Sequence, residues 1–248
     1  MTTTLREGRL CNQLIRNICV SIIAKKYNLK VNYCSNNEIS SLGLELYSGE
    51  KVFEKEEKFG AVDFERVMKG SEEEINYNLI TNHCSYQTRY VTNYLYNYFR
   101  KPEIKENIMK ANTFQMNYNN NNDCFIHVRL GDIQHLNPGF QYYIKALSLI
   151  HFNNNIILAT DSYGHPIFTE LFYYLSSRYN VSIINYLGPI DTIKLGSTIK
   201  NIILSHGTFS ATIGYLAFYS NIYYPKINPD KTWHGDLFSI PNWNEVDY

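Results

Sequence analysis

Cysteine is scarce in this chain, and its spacing points to no known framework. Five occur, at Cys11, Cys19, Cys34, Cys84 and Cys124. The number is odd and no pair is spaced C-x-x-C, which argues against a disulfide framework or a zinc ribbon. Four of the five lie in apolar or element-forming contexts, so buried, reduced thiols and a reducing compartment are expected. No run of 18 apolar residues occurs, so no transmembrane segment is expected. The opening residues Met1 to Gly8 lack the charged-then-apolar layout of a signal peptide. A cytoplasmic location follows as an expectation. Charge of either sign is not in excess: 23 Lys and Arg balance 23 Asp and Glu. That does not favour a broad nucleic-acid surface, while leaving room for a local basic pocket. G-x-G-x-x-G, Walker A, H-E-x-x-H and G-x-S-x-G patterns are missing, which weakens dehydrogenase, kinase, metalloprotease and esterase readings. No D-x-D pair is present to hold a divalent ion, so neither a metal nor another cofactor is expected.

Tyrosine is abundant, with 22 residues, and so is asparagine. A coding bias towards A and T yields both, and that reading comes first for both. Tyrosines also stack on sugar rings as well as filling cores, so both roles stay open.

The chain opens as β-α-β. Residues 2–6 read as a strand. Leu14, Ile15, Ile18, Cys19, Ile22 and Ile23 follow the helical period to about Tyr27, and Lys30 to Tyr33 read as a strand. Residues 36–74 carry a charged run from Glu50 to Lys58 and the triplet Glu72-Glu73-Glu74, read as solvated surface. Residues 75–82 suit a strand, and 88–100 and 103–114 suit helices, with Pro102 in a first turn. The polar run Asn117 to Asn122 is the best linker candidate. Two domains are therefore expected, 1–116 and 117–248.

Beyond the linker the alternation is regular. Strands are expected at 124–128, 155–160, 181–184, 201–204 and, last, 222–224. Helices are expected at 139–151, 166–179, 192–199 and 210–219. Continuous apolar strands alternating with helices define an α/β doubly wound parallel sheet. Ligands of such sheets bind beyond the carboxyl ends of the strands. The residues to inspect are therefore His127, Arg129 and Asp132, Thr160 and Asp161, and Ser205 to Ser210.

Each group has a functional and a plain reading. Arg129 carries a fork of donors that grips phosphate oxygens, beside Gly131 for a sharp turn and Asp132. An ordinary strand-end ion pair uses the same residues. Ser205-His206-Gly207-Thr208-Phe209-Ser210 places a glycine and hydroxyls at a helix start, where free N–H groups bind anions. Capping by Thr208 or Ser210 explains them equally. Asp161 suits a ribose or a purine edge, or else a helix cap before Pro166. Gly8-Arg9-x-x-Asn12-Gln13 puts a cation and two amides between a strand and a helix, or simply begins that helix.

Taken together these segments resemble the GDP-fucose-dependent fucosyltransferase superfamily, which includes α1,2-, α1,6- and protein O-fucosyltransferases. Gly8-Arg9-Leu10-Cys11-Asn12-Gln13 is similar to its G-R/G-x-G-N-Q motif, with Cys11 in place of the usual glycine. Phe125 to Asp132 resembles its H-x-R-x-G/T-D motif. Ile157 to Asp161 is similar to its strand ending in Thr/Ser-Asp, and Thr208-Phe209-Ser210 to its T-F-S segment. The matches keep the family's order.

The resemblance implies a GT-B-like α/β fold of two Rossmann-like lobes with parallel sheets, of which 248 residues leave the first reduced. It implies Arg129 on the donor's β-phosphate, His127 and Asp161 near guanine or ribose, and Thr208, Phe209 and Ser210 around the diphosphate. Arg9 and Asn12 would face the cleft from the first lobe. It implies an inverting, metal-independent transfer of fucose from GDP-fucose to a hydroxyl of a glycan acceptor. The general base is open among Asp132, His135, Glu7 and His83, with Asp132 preferred. The alternatives are a GT-B transferase using another nucleotide-linked deoxyhexose and a non-catalytic nucleotide- or carbohydrate-binding protein.

Overall fold

The computed structural model describes residues 1–70, 74–226 and 235–248. Two compact units result. The first comprises residues 1–108 with 235–239, and the second 109–226 with 240–248.

In the first unit, β1 (Thr2–Thr3) leads into α1 (Leu10–Tyr27) and β2 (Val31–Asn32). Then come α2 (Asn36–Ser40), β3 (Glu56–Lys58), α3 (Ala61–Met68), β4 (Asn78–Ile80), α4 (Arg89–Phe99) and α5 (Pro102–Ala111), which runs across the boundary. β1 pairs with β2 and β3 with β4, both parallel. The Leu79 amide donates to Thr2 Oγ1 at 2.8 Å, tying β4 to β1. α1 buries Leu14, Ile15, Ile18 and Cys19 as its periodicity predicts, but also Gln13, Arg16 and Asn17. A helix buried nearly all round occupies a core rather than a surface. It ends at Asn28 in the left-handed region, φ 58°, where asparagine is tolerated.

One expectation holds and one fails here. No residue of the charged run Glu50 to Lys58 is buried, as expected of a solvated surface, although Glu56–Lys58 forms β3. This strand alternates only between exposed and half-buried charged residues, so it has no apolar period to read. Helix α3 also falls within 36–74, the stretch that the sequence left without elements. Glu72 and Glu73 lie outside the described residues.

The second unit contains β5 (Cys124–Val128), α6 (Phe140–Leu147), β6 (Asn155–Thr160), α7 (Pro166–Ser176) and β7 (Asn180–Ile183). α8 (Pro189–Gly196), β8 (Asn201–Ile203), α9 (Gly207–Leu216), β9 (Asn221–Pro225) and β10 (Asn244–Val246) follow. The strands form one six-stranded sheet in the order β10-β9-β8-β5-β6-β7, with every pairing parallel. The chain starts at the centre, walks out through β6 and β7, returns to β8 and walks out the other way. That is the Rossmann-like order, and it places the topological switch point between β5 and β8. β9 is therefore not the last strand: β10, expected as no element, adds an edge. α8 begins at Pro189, ahead of the expected 192, because Gly188-Pro189 starts it.

The asparagine run is not a linker. Asn121 donates to Thr198 O at 3.1 Å and accepts from the Lys200 amide at 2.9 Å. Asn122 Oδ1 accepts from Asn201 at 3.2 Å. By its contacts the first compact unit ends at Ile108 and the second begins at Met109, ahead of this run. The bonding continues along the amino edge of the sheet. Asn221 donates to Asn201 at 3.1 Å, Asn155 to Asp123 at 2.9 Å and Asn180 to Asn155 at 3.0 Å. A side-chain amide both donates and accepts, so two short chains of bonds form, Asn221 to Asn201 to Asn122 and Asn180 to Asn155 to Asp123. This gives several asparagines a structural role beyond coding bias. Asn201 is 2% exposed. Asn201→Ala is expected to cost about 1–3 kcal/mol, because partners on both sides are left unpaired. Urea unfolding of the two proteins checks it.

All five cysteines are free thiols, with Cys11, Cys19 and Cys124 buried and Cys34 and Cys84 half-buried. Among the described residues, no helix is long and apolar enough to cross a membrane.

Candidate functional site

The switch point gathers the residues that follow β5, β6 and β8. Arg129, one residue beyond β5, is 9% exposed. Its Nη1 donates to Asp161 Oδ2 and its Nη2 to Asp132 Oδ1. The other oxygen of Asp161 accepts from the amides of Leu130 and Gly131 at 2.9 and 3.1 Å. A Cβ on Gly131 would lie 2.5 Å from Asp161 Oδ2, so any larger residue here has to displace that carboxylate. Burial raises the Asp161 pKa, but the Leu130 amide, the Arg129 charge and the Gly131 amide outweigh it, and the net shift is downward. The strand-end ion pair is therefore present, and it involves two carboxylates.

The plain reading of Asp161 as a cap does not hold. His165 is the N-cap of α7, its Nδ1 accepting from Ile167 N at 3.2 Å. Nor do Thr208 and Ser210 cap α9. That helix starts at Gly207, with φ +87°, behind an N-cap His206 that makes no side-chain cap bond. Both hydroxyl residues sit inside the first turns. Its leading N–H groups, like those of any helix, carry partial positive charge.

His127, 4% exposed, lies at the end of β5. Its Nδ1 is 2.6 Å from Ser210 Oγ, which also accepts from the Ser205 amide at 3.2 Å. Ser210 Oγ thus holds the His127 ring and the Ser205 amide together. The His127 ring packs against Phe209 with centroids 5.1 Å apart. Burial depresses its pKa to about 4, Asp161 opposing and Arg129 assisting, so the ring is neutral at pH 7.

Residues that the sequence did not single out join the two strand ends. Asn137 donates to Arg129 O at 2.8 Å and to the Tyr143 hydroxyl at 3.0 Å. That hydroxyl donates to Ser205 Oγ at 3.1 Å. Burial raises the Tyr143 pKa strongly, which keeps it a donor. Only the doublet Tyr142-Tyr143 on an apolar helix hinted at this role.

The structure thus brings together His127, Arg129, Asp132, Asp161, Thr208, Phe209 and Ser210 at one edge of the second unit. Arg9 and Asn12 belong to the first unit. Arg9 is the N-cap of α1, without a side-chain cap bond. Asn12 accepts from Gln87 Nε2 at 2.8 Å. Glu7 accepts from the His83 amide at 2.8 Å, and His83 Nε2 lies 3.4 Å from its other oxygen. His135 lies in a 3-10 turn, Gln134–Leu136. Among the described residues, no group of three or more His, Cys, Asp or Glu side chains is placed to hold a metal ion.

Comparisons of the chain with protein-family models, with curated proteins and with solved structures give no match. The class defined by the fold is an α/β protein with a six-stranded, Rossmann-like parallel sheet.

Proposed function

We propose that this chain is a metal-independent, inverting glycosyltransferase of GT-B type, which moves a fucose-type sugar from GDP-fucose to a glycan hydroxyl. One observation carries the reading: Arg129 and the start of α9 flank the switch point of a Rossmann-like sheet, where such sheets bind phosphates. The sugar nucleotide, not a resident cofactor, is the ligand.

In the proposed reaction an acceptor oxygen forms a bond to the anomeric carbon. The bond from that carbon to the β-phosphate oxygen breaks, and the electron pair leaves on GDP. Arg129 and the first-turn amides of α9 stabilise that charge as it develops. Asp132 takes the acceptor proton.

Among the described residues, Arg129 is shared by two carboxylates, so an incoming diphosphate competes with them for it. Asp161 is anchored by two amides, whereas the Asp132 side chain is 53% exposed. Asp132 is the one that turns away, and its release frees a carboxylate to act as base. Asp132→Ala is therefore expected to bind GDP more tightly, by up to about fivefold for the loss of an exposed ion pair, and to transfer more slowly. Calorimetric titration with GDP, UDP and ADP tests both the site and the base preference. Weaker GDP binding in Asp132→Ala refutes the competition, and preference for UDP or ADP refutes the donor.

A further inference from the structure

A second feature of the second unit takes no part in that chemistry. A shallow cavity of about 310 Å³ opens beside α7 and the end of β7. Phe168, buried at 3% exposure, and Phe172 give it an aromatic floor. Tyr163 and Tyr173 form its rim, 40% and 69% exposed. Thr169 and Asn185 supply its polar groups. The Tyr163 ring stands edge-on to Phe168, centroids 5.5 Å apart, which fixes its plane. Tyr186, next to Asn185, is 77% exposed.

The chemistry of this lining selects a ligand class. Exposed aromatic rings offer flat faces to the C–H face of a pyranose, and phenol, hydroxyl and amide groups meet its hydroxyls. Among the described residues, no charged side chain lines the cavity to hold a phosphate. A purine pocket normally encloses most of its ligand between apolar walls, whereas this rim stands open to water. The groove also lies at the carboxyl edge of the sheet, since Tyr163 follows Asp161 by two residues and Asn185 follows β7.

We propose that this groove is a saccharide subsite, in which Tyr163 and Tyr173 stack on a neutral pyranose ring. Saccharide binding here goes beyond the transferase reading; the identification of that saccharide as the acceptor rests on it.

Saturation-transfer NMR on the full chain, with methyl glycosides of galactose, N-acetylglucosamine and mannose, tests the proposal. At least one glycoside is expected to receive saturation on one ring face. Its affinity is expected to fall about tenfold in Tyr173→Ala and in Tyr163→Ala, and to survive in Tyr173→Phe, which keeps the ring. Tyr173 is exposed enough that folding is retained, and thermal melts confirm it. GMP serves as the competing arm. No glycoside binding, or binding indifferent to both alanine variants, overturns the groove, as does GMP binding that those variants abolish. Donor consumption is measured on the same proteins. Glycoside binding lost in the variants without any donor use leaves the groove standing and refutes the transferase. Donor use with tyrosine-independent glycoside binding does the reverse.

Discussion

Arg129→Ala is expected to slow transfer by roughly 10²–10³-fold while the protein stays folded. The magnitude is that of losing one donor aimed at developing negative charge, about 3–4 kcal/mol. The guanidinium is held in place from two sides, by Asp161 and Asp132, and so is preorganised before any ligand arrives. Folding survives because Asp161, the more buried partner, keeps its bonds from Leu130 and Gly131. Arg129→Lys keeps the charge but not the fork, and is expected to recover only part of the rate. Single-turnover rates and urea unfolding, measured on the same preparations, separate chemistry from stability. Equal losses in the alanine variant's stability and rate would assign Arg129 a structural role alone.

The second large effect is on stability and follows from His127. Its ordinary value is near 6.5 and its folded value is about 4. The unfolded chain therefore takes up a proton between these values and the folded chain does not. Stability from the neutral ring is complete above pH 6.5 and is lost as pH falls towards 4. Over that window the loss amounts to about 3 kcal/mol. His127→Gln cannot titrate, so its urea-unfolding free energy is expected to change less between pH 7 and pH 4, by about that amount. Parallel curves for the two proteins would contradict a buried, neutral His127. The same neutrality bears on function, because a neutral ring beside Ser210 adds no charge to the site.

Much of the second unit was legible because buried parallel strands read as apolar runs between helices. The stretch Asn155 to Thr160 was delimited to the residue. β10 escaped because only Val246 of its three residues is buried, which leaves no pattern. The first unit was harder, since β3 is built of charged residues and α3 is brief. The candidate site was legible as a set of strand ends, since topology alone singles out the residues after β5, β6 and β8. Its pairing was not. Asp161 is 32 positions from Arg129, and nothing in a linear pattern says that this carboxylate, together with Asp132, takes the guanidinium. The asparagine ladder was hidden for a related reason. Its members are scattered one to a strand, and only the register Asn201 to Asn221 and Asn155 to Asn180 brings them side by side. The aromatic groove is likewise assembled from tyrosines on separate segments.

The most direct test of the central claim is a competition among nucleotide sugars read by mass spectrometry. The full chain is incubated with GDP-, UDP- and ADP-linked sugars and a mixture of glycan acceptors, beside Arg129→Ala. The account predicts that GDP-fucose alone is consumed, that GDP accumulates, and that one acceptor gains a deoxyhexose, all strongly reduced in the variant. Consumption of another donor, or equal consumption by the variant, would contradict it.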